Sequence, residues 1–233
     1  MTIDGAVADV LLLNAITDRD MTDRMVARAR SLHRGCRGAT VEAGAPYITD
    51  AATLRAAAVA VDDHVRRLAA DVQPDVLIVA CFGDPAVRDL RSRLSIPVVG
   101  LAEASCEVAC RMGQRFGIVT GGRKWPPLLH TLVEDIGLSP RLSGIHALDI
   151  TGDRVAQDRD AARKALEAKI REAEAAGADV VILGGAGLTG LADELSGTCR
   201  VPLVDSVDCA VIRAVESVTP LIPGEGPGNG DFR

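Results

Sequence analysis

The sequence predicts an α/β protein of two pseudo-symmetric lobes, each with a central parallel sheet flanked by helices and with the active site in the cleft between them. Three observations carry that reading. Short apolar runs bounded by turn residues, such as residues 75–80 (DVLIVA), alternate along the chain with longer helical patterns. Runs of this kind suit strands covered on both faces. A strand–loop–helix–strand unit then occurs twice: Cys81 precedes Pro97 by sixteen positions, and Gly185 precedes Pro202 by seventeen. Matched segments at nearly equal spacing point to internal duplication, and so to a site shared by the two copies. Finally, 48% hydrophobic and 25% charged residues in a chain of 233 is a globular balance, long enough for two lobes of about 100 residues each.

Residues 9–14 read as the first strand. Thr17 is placed to cap a helix running to about His33, with Asp18 and Asp20 in its first turn, where the helix dipole favours acids. A short strand at 39–43 follows. Thr49 is placed to cap a long helix in which Ala51, Leu54, Ala58, Val61, Val65 and Leu68 recur at helical spacing. The strand at 75–80 runs into Cys81-Phe82-Gly83-Asp84-Pro85, whose Gly-Asp-Pro breaks it and opens a helix near Pro85. A proline-led strand at Ile96-Pro97 precedes a helix from about Ala104 to Met112. The second copy opens with a strand at 115–120 ending in Thr120-Gly121-Gly122. A helix over about Trp125–Ile136, a strand at 142–149 and a helix over Asp158–Ala175 come next. Strands at 179–183 and 201–205 flank the Gly185 loop, and a last helix, about Val207–Ser217, packs back on the first lobe. On this reading residues 1–103 with 206–218 form the first lobe and 104–205 the second. Residues 219–233, rich in Pro and Gly, form a disordered tail.

The net charge of −6 argues against nucleic acid or an anionic membrane as a partner. No stretch approaches the ~18–20 uninterrupted apolar residues that span a bilayer, and Met1 to Gly5 hold no basic segment or signal core. The cytoplasm is the expected compartment. The six cysteines include no CxxC pair and no Cys/His group at zinc spacing, so no metal is expected and free thiols are. With one Trp, one Tyr and three Phe, the core must be built from Ala, Val, Leu and Ile. A pocket so lined recognises small molecules through backbone amides and hydroxyls.

Cys81 stands where a buried strand ends. In open α/β sheets ligands bind outside the carboxyl ends of strands, so a thiol there faces a pocket, and a helix N-terminus beside it favours the thiolate. The competing reading is a buried structural cysteine. Amides at Phe82–Gly83 and Ala186–Gly187, with the hydroxyls of Thr17, Thr120 and Thr189, can cradle carboxylate or imide oxygens. Each threonine equally suits a cap or a turn; Thr120, which ends a strand before two glycines, is the strongest. Asp205 is either a site acid or the N-cap of the last helix, and Glu103 is read as its equivalent in the first copy. Cys209 is the thiol nearest the second site, with packing as its main reading. His130 and His146 are distant from both loops in sequence. Arg123, Lys124 and Trp125 sit where a lid or carboxylate clamp would lie; solvated charge is the main reading for the two basic residues, and Trp125 is the sole Trp, beside a strand-end loop.

Taken in order, Ala80-Cys81-Phe82-Gly83-Asp84-Pro85, Pro97-Val98-Val99-Gly100-Leu101-Ala102-Glu103-Ala104, Ile118-Val119-Thr120-Gly121, Leu183-Gly184-Gly185-Ala186-Gly187 and Pro202-Leu203-Val204-Asp205 resemble the aspartate/glutamate/hydantoin racemase superfamily, most closely its hydantoin and allantoin racemase branch. The resemblance covers roughly residues 8–218. It implies two α/β lobes with the site between them, no cofactor, a homo-oligomer, and two cysteines facing each other across a small substrate. Carried onto this chain, it makes Cys81 the catalytic acid/base. It places Asn14, Thr17, Phe82, Gly83, Thr120, Gly121, Gly185, Ala186, Gly187 and Asp205 around the substrate. Two departures stand out. Gly185 occupies the second cysteine's place in the family's Gly-Cys-Ala-Gly. Asn14-Ala15-Ile16-Thr17 replaces Asn-Pro-Asn-Thr.

The expected function is therefore a cofactor-independent isomerase that moves a proton at a carbon next to a carbonyl, in a small acid, hydantoin or related compound, with a single thiol. Gly185 offers no acid or base, so the enolate-like intermediate is protonated from the Cys81 side alone. The alternatives are a one-sided lyase similar to the arylmalonate decarboxylases, which keep the thiol at the second site and Gly at the first, and a non-catalytic small-molecule binder.

Overall fold

The computed structural model describes residues 7–68 and 73–219. The apolar runs pair into two four-stranded parallel sheets. The first contains β1 (Val10–Asn14), β2 (Cys36–Thr40), β3 (Val76–Val79) and β4 (Val98–Gly100), in the order β2-β1-β3-β4. The second contains β5 (Phe116–Gly121), β6 (Leu142–Leu148), β7 (Val180–Gly184) and β8 (Leu203–Asp205), in the order β6-β5-β7-β8. Each copy thus places its second strand outside its first, and its third and fourth on the other side. The duplicated sequence unit is a duplicated topology.

The described helices are α1 (Arg19–Leu32), α2 (Ala51–Arg67), α3 (Val87–Arg93), α4 (Leu101–Met112), α5 (Trp125–Asp135), α6 (Gly152–Gln157), α7 (Arg159–Ala175), α8 (Leu191–Leu195) and α9 (Ser206–Val218). Both expected threonine caps lie one residue early. Asp18 caps α1, its carboxylate accepting the Met21 N–H at 2.9 Å, and Asp50 caps α2 in a reciprocal box with Thr53. The second strand also begins earlier than expected, at Cys36, where its pairing with Val10 starts. The helix expected at Pro85 starts at Val87, because Asp84 and Ala86 both adopt left-handed backbone, with φ of 47° and 63°. The helix expected from Ala104 begins three residues sooner, at Leu101. The sequence reading passed over α6. Beyond Thr219 the expected disordered tail lies outside the described residues.

One continuous core runs from Leu11, Leu13 and Ile78 through Cys106 and Val207 to Phe116, Ile118 and Ile182, so the same apolar mass supports both sheets. Each fully buried leucine there contributes about 1.5–3 kcal/mol. A smaller cluster, including Val119, Leu148, Leu166 and Ile170, fills the space beneath α7 on the second sheet. Helix α9 packs on α1, α4 and β3. Arg28 on α1 is bonded to both Asp208 on α9 and Asp193 on α8. Among the described residues no helix is long and apolar enough to cross a membrane.

Candidate active site

The four residues of β3 are all buried, and the chain leaves the sheet through Ala80 and Cys81. The turn that follows is tight: the Asp84 N–H donates to the Cys81 carbonyl at 3.1 Å. Two left-handed non-glycine residues flank Pro85, a backbone cost of about 1–3 kcal/mol each that the surroundings must hold. Asp84 supplies the hold. Its carboxylate accepts the N–H groups of Ala102 and Glu103, at 2.9 and 2.8 Å, and so caps α4 across the loop. A Cβ on Gly100 would lie 2.3 Å from the Asp84 carboxyl carbon, so the carboxylate fills the space a side chain there would need.

In the second lobe β7 ends in Gly184 and Gly185, and Gly185 has φ +128°, a conformation suited to glycine. The Gly185 N–H donates to Ser206 Oγ at 3.3 Å, and the Thr120 hydroxyl donates to the Gly184 carbonyl at 2.8 Å. Asp205 accepts from Gly190 N–H at 2.5 Å and from Val207 N–H at 2.8 Å, tying the loop to the start of α9. Strand register pairs Leu183 with Asp205 and Val79 with Gly100. Gly100, not Glu103, is thus the counterpart of Asp205; Glu103 is displaced onto α4, where it pairs with Arg91 at 2.7 Å.

Cys81 and Gly185 line one cavity of about 50 Å³, room for on the order of three waters. Asn14, Phe82, Thr120, Gly121, Ala186 and Gly187 also line it. Thr17, Gly83 and Asp205 do not. Gly83 is packed under Leu54 and Trp125, and both carboxylate oxygens of Asp205 are committed to backbone N–H groups. Asn14 faces the cavity with its amide already bonded to Ile16 N–H, the Asp18 carbonyl and Thr22. The Thr189 hydroxyl donates to the Ala186 carbonyl. Cys209 is in the core beside Ser105 and does not reach the site. His130 is exposed on α5, while His146 on β6 pairs with Glu172 at 3.4 Å, away from the cavity. Arg123 pairs with Asp149, and Lys124 with Asp50.

The expected thiolate is not what this environment favours. Cys81 is 8% exposed, and burial, reinforced by the nearby Asp84 carboxylate, pushes its thiol up to about 12. Burial also pushes Asp84 up to about 7, against the two N–H groups that favour its charged form. Desolvation outweighs any helix-dipole effect here. All six cysteines are free, and among the described residues no three His, Cys, Asp or Glu side chains converge in a metal-binding group.

A family model described as Asp/Glu/Hydantoin racemase matches residues 10–214, spanning every strand of both sheets and both loops at the cavity. The chain belongs to this family. Among racemases of known sequence, it is 33% identical to the hydantoin racemase of Paenarthrobacter aurescens over 68% of this chain and 67% of that one. It is 32% identical to the hydantoin racemase of Rhizobium meliloti over 59% of this chain, and there spans only 57% of that relative's length. The allantoin racemase from Klebsiella pneumoniae superposes with a TM-score of 0.82 at 27% identity, over 89% of this chain and 86% of that one. Arylmalonate decarboxylase shares the fold at a TM-score of 0.64 and 18% identity, covering 89% of this chain and 92% of that one.

Within this racemase fold the sequence reading passed over several cavity residues. Ile16, Met21, Ile48 and Leu188 give it apolar walls, while Trp125, which the sequence does place near the pocket, closes one side against Gly83. Tyr47, from the loop after β2, is the largest omission. Its phenol oxygen accepts the Gly152 N–H at 2.7 Å, so a first-lobe side chain docks on the second lobe. A Cβ on Gly152 would sit 2.8 Å from that oxygen. The only sequence signal was that this is the sole tyrosine of an aromatic-poor chain.

Proposed function

We propose that the protein exchanges the proton on a carbon next to a carbonyl in a neutral cyclic ureide of the hydantoin or allantoin type, with the Cys81 thiol as acid/base. The observation that carries this reading is the lining of the cavity. A thiol at the end of a central strand faces a space walled by apolar side chains and glycine-rich backbone, and among the described residues no Lys, Arg, Asp or Glu side chain lines it. A dicarboxylate substrate would enter such a space without a counter-charge, at a large desolvation cost. A neutral imide brings its own donors and acceptors to match backbone groups. The relatives' named substrates support the same class.

In this reaction Cys81 Sγ, as thiolate, takes the proton; the C–H bond breaks, an S–H bond forms, and the electron pair moves onto the carbonyl oxygen as an enolate-like anion. Reprotonation reverses these steps. A thiol pushed up to about 12 is thiolate in a fraction that grows tenfold per pH unit below that value. The catalysed rate of 5-benzylhydantoin or allantoin proton exchange, corrected for the uncatalysed rate, is therefore expected to climb with pH above neutrality.

Replacing Cys81 by Ala or Ser is expected to lower exchange by about 100-fold or more, measured by loss of the C–H signal in D₂O. Replacing the other five cysteines singly by Ala should leave it within a few-fold. A Cys81→Ala variant at near wild-type rate overturns the assignment. Release of carbon dioxide from a malonate-type diacid, with no exchange on ureides, would transfer the site to the lyase reading. Alkylation by iodoacetamide near neutral pH should reach the partly exposed Cys110 and Cys199 before Cys81.

A further inference from the structure

We infer that the phenol of Tyr47 is the second acid–base group of the site, serving the face of the substrate that Gly185 leaves without a side chain. This deepens the proton-exchange reading proposed for Cys81 and rests on it.

Among the described residues lining the cavity, Cys81 and Tyr47 are the two whose side chains can gain or lose a proton. The hydroxyls nearer Gly185 are committed elsewhere: Thr120 donates to the Gly184 carbonyl and Thr189 to the Ala186 carbonyl. Tyr47 differs. Its oxygen accepts from Gly152 N–H, and the Asp153 N–H also favours its anion, but among the described residues its own proton has no acceptor. That O–H is thus held by its oxygen and left free to donate to whatever occupies the cavity.

The position fits the face in question. Gly152, on which the phenol docks, abuts the Gly185 loop: a Cβ on Gly187 would lie 2.0 Å from the Gly152 carbonyl oxygen, and one on Gly152 would lie 3.7 Å from Leu188. Cys81 belongs to the first lobe, as Tyr47 does, but the phenol oxygen is held on second-lobe backbone at Gly152, and the thiol is close enough for its charge to act on the phenol. The two groups therefore line one small space, the thiol at the end of β3 and the phenol oxygen beside the backbone that abuts the Gly185 loop. Their proton affinities are also matched: burial pushes Tyr47 up to about 12, as it does Cys81. A pair that must exchange roles between the two substrate hands needs neither member to be the much stronger base. The charges that face this pair are Asp153 beside the phenol and Asp84 beside the thiol, and both acids raise their neighbour.

The step balances. As thiolate, Cys81 takes the proton from carbon, and the electron pair goes to the carbonyl. Tyr47 O–H then gives its proton to the same carbon from the other side, and the phenolate is held by the Gly152 and Asp153 N–H groups. For the opposite hand, phenolate takes and thiol gives. Released product and solvent reset the pair.

The test uses the full chain with each enantiomer of 5-benzylhydantoin and of allantoin in D₂O. Proton NMR reads exchange, circular dichroism reads inversion, and the uncatalysed rate is subtracted. Wild type is expected to exchange and invert both hands. Tyr47→Phe should lose inversion by about 100-fold while keeping, within about tenfold, exchange with retention for the hand whose proton faces Cys81. Cys81→Ser should lose that exchange. Inversion by Tyr47→Phe within about threefold of wild type, or wild-type exchange of one hand without inversion, overturns the role of Tyr47 and leaves Cys81 in place. Full activity of Cys81→Ser overturns the Cys81 reading instead. A readout free of substrate is available because Tyr47 is the only tyrosine. Its near-ultraviolet tyrosinate absorbance should remain low at about pH 10.5, where an ordinary phenol is mostly ionised, and should rise at lower pH in Cys81→Ser. Titration near the ordinary value, unchanged by that substitution, also overturns the inference.

Discussion

In the first lobe the loop after β3 carries a thiol and an acid, Cys81 and Asp84, and the next strand ends in Gly100. In the second lobe the loop after β7 has glycine at the thiol's place, and the next strand ends in the acid, Asp205. Both acids do the same mechanical job. Asp84 reaches from the loop to the N–H groups that start α4; Asp205 reaches from the strand end to its own helix start and back to Gly190 in the loop. In both lobes a carboxylate makes the joint between loop and helix, supplied by the loop in one and by the strand end in the other. Where the loop supplies it, the strand end must be glycine, because one space cannot hold two side chains. The structural parts of the duplicated unit are thus interchangeable. The thiol is not duplicated at all.

The largest expected effect comes from filling that space twice. Gly100→Ala puts a methyl group into the Asp84 carboxylate and should destabilise the fold by about 3 kcal/mol, lowering Tm by about 6–12 °C. Asp84→Ala in the same chain should relieve the clash, so the double variant should unfold at a higher temperature than Gly100→Ala alone. Additive losses would break the comparison, since they would mean the two positions do not share one space.

A smaller effect separates the two acids by pH. Burial pushes Asp84 up to about 7 and Asp205 up to about 6, against about 4 in the unfolded chain. A carboxyl raised on folding stabilises the native state fully below about pH 4 and loses that contribution as pH passes its folded value, here about 6 to 7. Asp84→Asn, neutral throughout, should therefore gain on wild type as pH rises from about 4 to 8. Parallel Tm profiles for the two proteins would show that Asp84 is not held as described.

The smallest effect tests the missing thiol. A Cβ on Gly185 meets nothing nearer than 3.9 Å, so space exists, but φ +128° makes any side chain there strained, at about 1–3 kcal/mol. Gly185→Cys should lower Tm by a few degrees and, combined with Tyr47→Phe, should restore inversion. A folded double variant that still exchanges only one hand would indicate that position 185 does not face the reacting carbon.

The fold was legible because each central strand is a continuous apolar run buried on both faces, and β3 and β7 appear in the sequence as little else. The site was legible only where chemistry and motif coincide, as at Cys81. Asp84 appeared as a turn residue, since nothing local reveals that its bonding partners lie 18 and 19 residues onward. Tyr47 depends on a contact 105 residues away, in a helix too short to announce itself. The expected thiolate failed for a related reason: a helix start can be read from sequence, whereas the depth of burial that outweighs it cannot.

A further consequence lies in the ring of Phe82, which rests on the bare backbone of the opposite loop. A Cβ on Gly184 would sit 2.2 Å from that ring. Position 184 cannot gain a side chain alone: it would meet the ring at 82 unless that ring is lost in the same step. A bulkier residue on the second-lobe side of this seam therefore requires a smaller one on the first-lobe side, which makes what one half of the molecule tolerates depend on the other half.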